Sequence, residues 1–154
     1  MPASQAGRRG FESRLPLNKM LNVRIYSFGF QKSGMPEDCT PNHGGFVFDC
    51  RYINNPRWVD ELKNLTGKDE KVIKFLDADS IMQDFLKISS QILFNSIDNY
   101  LSRNFTNLMI CFGCTGGQHR SIYSAEKTAC MLKSHYNDRI KISVTHIEFP
   151  ELSS

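Results

Sequence analysis

Four short runs of β-branched and aromatic residues predict β-strands along the chain. The first two cover residues 22–30 (NVRIYSFGF) and 45–51 (GFVFDCR). A continuous apolar run, NLMICFG at 107–113, predicts a buried strand, and apolar and polar residues alternate through IKISVTHIEF at 140–149. Residues 31–45, between the first two runs, are rich in turn formers and predict a loop.

Helical periodicity is clearest in residues 79–103, DSIMQDFLKISSQILFNSIDNYLSR. Ser80 and Gln83 predict a capping box at the start of this helix. Its apolar positions form a wide stripe, which predicts that the helix packs against a sheet. The stripe consists of Ile81, Phe85, Ile88, Ile92, Ile97, Tyr100 and Leu101.

Three further segments predict helices. In INNPRWVDELKNLTG, Asn55 and Pro56 mark a helix entrance, and Gly67 is the predicted stop. A short helix is predicted over EKVIKFL, residues 70–76, and a longer one over HRSIYSAEKTACMLKSHY, residues 119–136. The core face predicted for the longer helix consists of Ile122, Ala125, Ala129 and Leu132.

The alternation of strands and helices predicts an α/β fold, namely a single three-layer domain over residues 20–150 with a small, largely parallel sheet. A chain of 154 residues with 40% hydrophobic content can bury the core of one domain. No apolar run is long enough to cross a membrane, and the N-terminal residues lack the apolar centre of a signal peptide. These features favour a cytoplasmic protein.

The formal net charge of +3 belongs to the first residues of the chain. Of 19 basic and 16 acidic residues, four and one lie within residues 1–19, so residues 20–154 carry equal numbers of each. Residues 1–19 are small, polar and basic without periodicity, which predicts a disordered N-terminal extension. We expect RNA binding, if it occurs, to be weak and to depend on this extension.

Five cysteines without a signal peptide predict reduced thiols rather than a disulfide framework. Cys111 and Cys114 form a C-x-x-C pair, but a strand directs two such side chains to opposite faces. No second C-x-x-C or pair of histidines completes a metal site. Cys111 is therefore predicted to be a core residue, and neither a metal nor a cofactor is expected.

The third apolar run ends abruptly in the glycine-rich sequence GCTGGQHRS, residues 113–121, which leads into a predicted helix. At such a junction in a parallel sheet, backbone amides and the helix dipole attract anions. Gly116 and Gly117 let the backbone wrap around an anion, and Arg120 can clamp a phosphate with two hydrogen bonds. The sequence therefore predicts a phosphate cradle, although neither the Walker A nor the G-x-G-x-x-G spacing occurs. Further predicted donors are Thr115, His119 and Ser121.

A second polar segment follows the predicted strand at 45–51 and is expected to meet the same site. Asp49 could accept hydrogen bonds from sugar hydroxyls or orient Arg120, and Arg57 could reach a phosphate. Trp58 is predicted to be a core residue rather than a stacking platform, because most tryptophans are largely buried.

Five segments together resemble the C-terminal domain of the RNase adapter protein RapZ, a bacterial family: SFGF (27–30), FDCRYINNPRW (48–58), LTG (65–67), FL (75–76) and GCTGGQHRS (113–121). The resemblance covers residues 23–147. It implies a domain similar to a phosphofructokinase subdomain that senses glucosamine-6-phosphate, binds a small RNA and presents it to an endoribonuclease. The pocket that it implies consists of Asp49, Thr115, Gly116, Gly117, His119 and Arg120.

The chain also departs from that family in three places. It does not contain the P-loop nucleotide-binding domain of the full-length proteins, so Walker-type nucleotide binding is not implied. Arg57 stands where the enterobacterial protein has the histidine of NPHW, and the last residues, EFPELSS, lack a basic character. We therefore expect the sensing of a phosphorylated sugar more than RNA binding or contact with a ribonuclease.

Two other functions fit the glycine-rich sequence. Cys114, Gly117, Arg120 and Ser121 match the C-x-x-G-x-x-R-[ST] pattern of cysteine phosphatases, in which a thiolate attacks phosphorus. Such an enzyme also needs a general acid, which would be Asp49 or an aspartate of residues 77–84. The other alternative is a protein–protein adaptor with a structural anion site. A binding function is favoured over an enzyme.

Overall fold

The computed structural model describes residues 20–41 and 44–154, in which four strands and three α-helices follow one another. The strands are β1 (Leu21–Gly29), β2 (Gly45–Asp49), β3 (Asn107–Cys114) and β4 (Ile140–His146). The helices are α1 (Glu70–Asp77), α2 (Ser80–Ser102) and α3 (Arg120–Tyr136). The disordered extension predicted for residues 1–19 lies outside the described residues.

The four strands form one parallel sheet in the order β2–β3–β1–β4. β1 and β3 pair along their whole length, from Asn22 beside Asn107 to Gly29 beside Cys114. The carboxyl ends of parallel strands meet at one edge of a sheet, so the loops that follow β1, β2 and β3 converge there. This arrangement confirms the predicted α/β class and brings the two polar segments of the sequence together.

Alternate strand residues face two different layers. Val23 of β1 packs in the main core with residues of all three helices. Phe28 of β1 packs instead with Met109 of β3 on the opposite face of the sheet. The loop after β1 reaches this second face, where the guanidinium of Arg24 donates to Asp38 at 2.9 Å. The helices thus form one layer, the sheet forms the second, and the loop after β1 forms the third.

The predicted cap and apolar stripe of α2 are wrong in detail. Asp79, not Ser80, caps the helix by accepting from the backbone N–H of Met82 at 3.0 Å. Ile88 is 60% exposed, whereas Ser89 is buried. Burial of this serine and its neighbour leaves no hydroxyl unpaired, because each donates to a carbonyl of its own helix. The exposed stripe residues are Ile81, Ile88 and Ile92, and the side chains that pack inward are Met82, Phe85, Leu93 and Ile97.

The helix predicted from Asn55 to Gly67 is also wrong beyond its first turn. Asn55 caps a 3-10 helix of three residues, Pro56–Trp58, and Val59 is already extended. Turns follow as far as Gly67, which is a point of close packing rather than a helix stop. A Cβ atom at Gly67 would lie 2.4 Å from the carbonyl oxygen of His119, so glycine allows this loop to contact the start of α3.

The remaining predicted elements are confirmed with small shifts of their ends. α1 and α3 occupy the segments predicted to be helical, and β4 carries Ile140 and Val144 into the core. Cys111 is buried, and burial raises the pKa of its thiol to about 12. Within residues 20–41 and 44–154, no helix has the length and apolar character needed to cross a membrane.

Candidate functional site

A cavity of about 460 Å³ opens at the carboxyl edge of the sheet. Its floor is the glycine turn, residues 115–119, which connects β3 to α3 and supplies Thr115, Gly116, Gln118 and His119. Arg120, the first residue of α3, also lines this cavity. The strand, glycine turn and helix therefore meet in the order that the sequence predicts, and the junction faces open space.

The two glycines of the glycine turn have different roles. Gly117 has a φ of 69°, and a Cβ atom there would lie 2.7 Å from the backbone nitrogen of Gly29. Nothing lies within 4 Å of the position that a Cβ atom on Gly116 would take. Gly117 is thus needed for close packing against β1, whereas Gly116 keeps the cavity side of the turn open.

The N–H groups of the glycine turn are free to bind a ligand. Among the described residues, none accepts a hydrogen bond from a backbone N–H of residues 115–119, whereas the carbonyls of Thr115 and Gln118 both accept one. Gln31 donates to Thr115 at 3.1 Å and Gly67 donates to Gln118 at 2.9 Å. The turn is therefore fixed through its carbonyls, and its donors add to the positive end of the α3 dipole.

Arg120 is the side chain whose burial and hydrogen bonds most clearly indicate an anion site. It is only 4% exposed, and its Nη1 donates at 2.8 Å to the carbonyl of Arg51 and at 2.8 Å to that of Ile53. Its Nε has no hydrogen-bond partner, and its Nη2 bonds to none of the residues that the structure describes. A buried cationic N–H without a partner is costly, and the Nε–Nη2 edge is the one that binds a phosphate with two hydrogen bonds.

The other wall of the cavity comes from the 3-10 helix after β2 and from the loop after β1. Asn55, Arg57 and Trp58 line it on one side, and Gln31 and Lys32 line it on the other. Trp58 is 82% exposed, so its prediction as a core residue is wrong, because a three-residue helix presents the indole to the cavity instead. No carboxylate of the described residues lines the cavity, whose charge is cationic.

Asp49 lies at the end of β2, beside the cavity rather than in its lining. Its carboxylate accepts from the backbone and side chain of Arg51, with a shortest distance of 2.6 Å. These hydrogen bonds lower the pKa of Asp49, and the charge of Arg120 lowers it slightly further. Among the described residues, Asp49 forms no hydrogen bond with Arg120, whose guanidinium donates to two backbone carbonyls instead.

His119 and Ser121 are both buried and already have partners. His119 Nε2 lies 2.9 Å from the carbonyl oxygen of Leu62, so Nε2 carries the proton and Nδ1 is an acceptor. Burial lowers the pKa of His119, which favours the neutral ring. The hydroxyl of Ser121 lies 3.1 Å from the Sγ atom of Cys114, and this thiol lines the cavity.

Sequence reasoning missed the contribution of the loop after β1. Gln31 and Lys32 carry no motif, and they reach the cavity only because β1 lies next to β3 in the sheet. Glu148 was also missed, although its carboxylate accepts from the backbone N–H groups of Gly29 and Ser33. Among the described residues, no group of three histidine, cysteine or acidic side chains could hold a metal ion.

The sequence profile of the RapZ C-terminal domain matches residues 21–150, which include every residue of the cavity described above. The chain belongs to the RapZ C-terminal domain family. A nucleotide-binding protein of Acidothermus cellulolyticus is 40% identical over 128 residues, which are 82% of this chain and 39% of that protein. A nucleotide-binding protein of Methylococcus capsulatus is 39% identical over 137 residues, covering 89% of this chain and 43% of its own length.

The chain thus spans less than half the length of these bacterial relatives. The description 'nucleotide-binding protein' therefore applies to those longer proteins and not to this chain by itself. Membership in the RapZ C-terminal domain family supports a regulatory or adapter type of role for the chain.

Proposed function

We propose that this domain is a cytoplasmic sensor that binds a phosphorylated sugar, similar to glucosamine-6-phosphate, with its phosphate in the glycine turn. The observation that carries the proposal is the buried Nε of Arg120, a residue that lines the cavity. No acceptor for this Nε lies among the residues that the structure describes. The phosphate would accept from this guanidinium edge and from the free N–H groups of the turn.

The same cavity offers groups for the sugar part of the ligand. The exposed indole of Trp58 can pack against the apolar face of a pyranose ring, and Asn55 and Gln118 can bond to hydroxyls. Arg57 and Lys32 add positive charge near the solvent. Asp49 does not line the cavity, and its carboxylate pairs with Arg51 at 2.6 Å.

Calorimetric titration of the protein with a panel of hexosamine phosphates, hexose phosphates and inorganic phosphate tests this proposal. We expect saturable binding of the phosphorylated sugars, weaker binding of inorganic phosphate and no binding of the unphosphorylated sugars. Flat titrations for every phosphorylated ligand, with a folded protein, would refute the proposal. If all anions of the panel bound equally tightly, and if the bound anion could not be removed by dialysis, the adaptor with a structural anion site would be favoured.

A cysteine phosphatase is the second candidate, because the Ser121 hydroxyl lies 3.1 Å from the Cys114 thiol at the start of a helix. It ranks lower because no aspartate of the described residues lines the cavity to act as general acid. Asp49 pairs with Arg51, Asp77 accepts from Tyr123 and Asp79 caps α2.

The two candidates predict opposite behaviour of the Cys114→Ser variant. For a sensor, we expect no hydrolysis of an aryl phosphate by the wild type and a ligand affinity of the variant within a few-fold of the wild-type value. Steady-state turnover and calorimetry measure these two quantities. Robust wild-type turnover that disappears in Cys114→Ser would promote the phosphatase, because the thiolate would then be the nucleophile.

RNA binding and a ribonuclease partner are proposals that come from the family resemblance. Since residues 20–154 carry no net charge, we expect RNA binding to be weak and to depend on the basic residues 1–19. Removing residues 1–19 should abolish salt-sensitive retention of RNA in a filter-binding assay. Tight binding by the truncated protein that resists salt would show instead that the surface of the domain itself recognises RNA.

A further inference from the structure

Glu148, which follows β4, accepts three hydrogen bonds from the turn that follows β1. Its Oε2 accepts from the backbone N–H of Gly29 at 3.0 Å and from that of Ser33 at 3.1 Å. Its Oε1 accepts from the Ser33 hydroxyl at 2.9 Å. A single carboxylate thus satisfies two backbone donors and one hydroxyl of the turn formed by residues 29–34.

This turn carries Lys32 into the lining of the cavity. The carbonyl of Gly29 accepts from the N–H groups of Lys32 and Gly34, each at 3.0 Å, and closes the turn. Gln31 donates to the carbonyl of Thr115 at 3.1 Å, which joins the turn to the phosphate cradle. Within the residues that the structure describes, Lys32 forms no ion pair, so its ammonium is available to a ligand.

Glu148 also lies behind the glycine turn itself. A Cβ atom on Gly117 would lie 2.5 Å from the Cγ atom of Glu148, so the side chain fills the space beside this glycine. Gly29, to which Glu148 bonds, packs within 2.7 Å of the same Cβ position. The side chain of Glu148 therefore packs between the turn that carries Lys32 and the glycine turn, which would hold the phosphate.

We propose that Glu148 is a positioning residue that holds residues 29–34 in place and so directs Lys32 towards the bound phosphate. The inference rests on the proposed function, since it names a second cation for the same ligand. The negative charge of Glu148 lies near an anion site, where it would weaken phosphate binding by repulsion alone. A glutamate at position 148 is therefore consistent with a geometric role that strengthens phosphate binding by more than the repulsion weakens it.

Glu148→Ala and Glu148→Gln separate the geometric role from the effect of charge. Glutamine can still accept from Gly29 and Ser33 through its oxygen and bond to the Ser33 hydroxyl through its amide. By calorimetry with inorganic phosphate at low salt, we expect Glu148→Ala to weaken binding about fivefold, a size typical of losing one partly exposed charge contact. Glu148→Gln should remain within about twofold of the wild type. Tighter binding by both variants would overturn the inference, because repulsion would then be the main effect.

The link to Lys32 is tested by combining variants. In a Lys32→Met background, adding Glu148→Ala should change the phosphate affinity less than twofold, since the positioned cation is already absent. If the effects of Lys32→Met and Glu148→Ala on the free energy of phosphate binding were fully additive, the proposed link between Glu148 and Lys32 would be refuted.

Hydrogen exchange at the Ser33 amide provides a readout that needs no ligand, and we expect faster exchange in Glu148→Ala only. Unchanged exchange would refute the positioning role. A wild type that binds neither inorganic phosphate nor any phosphorylated sugar, with exchange changed as expected, would refute the proposed function and the role of Lys32. The hydrogen bonds by which Glu148 holds residues 29–34 would still be established.

Discussion

Replacing Arg120 by alanine should remove most phosphate binding, with a loss on the order of 2 to 5 kcal/mol in binding free energy. The expected loss is large because Arg120 is only 4% exposed and its Nε has no other partner within residues 20–41 and 44–154. Arg120→Lys should also bind poorly, since an ammonium cannot offer two parallel N–H groups. Calorimetry with a hexose phosphate measures both variants.

Arg120→Ala will also lower stability, because the carbonyls of Arg51 and Ile53 lose their donor. Circular dichroism and a thermal melt should therefore accompany each titration. Arg139→Ala is the matched control, since Arg139 lies just before β4 at the opposite edge of the sheet. A folded Arg120→Ala variant that binds like the wild type would contradict the assignment of the phosphate site.

The Gly117→Ala variant should lose both stability and ligand binding, whereas Gly116→Ala should keep its stability. The left-handed conformation of residue 117 alone costs an alanine about 1 to 2 kcal/mol. The added methyl group would also collide with the backbone nitrogen of Gly29, which cannot move without disturbing β1. Gly116 has neither constraint, since its Cβ position is open.

Denaturant titration and calorimetry of the two variants form a matched comparison of one methyl group at adjacent residues. We expect the unfolding midpoint of Gly116→Ala to equal or slightly exceed that of the wild type, because alanine restricts the unfolded chain. Equal midpoints and equal phosphate affinities for Gly117→Ala and the wild type would mean that the close packing of the glycine turn on β1 is not required.

The position of the glycine turn between β3 and α3 could be predicted from sequence because its parts are local. Residues 113–121 contain the strand end, the glycines and the arginine within one turn, so chain order alone predicts their proximity. The walls could not be predicted in this way. Lys32 and Glu148 reach the site through the order β3–β1–β4, and no local pattern specifies which strands are neighbours.

The errors have physical causes at particular residues. Ile88 is exposed while Ser89 is buried, because a serine that bonds to its own helix can be buried without leaving a polar group unpaired. Trp58 was predicted to be in the core from the average behaviour of tryptophan, yet a three-residue 3-10 helix leaves it 82% exposed. Hydrophobic character alone does not separate a core side chain from one that faces a ligand.

The most direct test of the central claim is a phosphate titration followed by proton–nitrogen NMR. We expect saturable shifts, with a common dissociation constant, of the backbone amides of Gly116 and Gly117 and of the Arg120 Nε–H. None of the residues that the structure describes accepts a hydrogen bond from these three groups. Saturable shifts confined to other residues, with these three signals unmoved, would contradict the account.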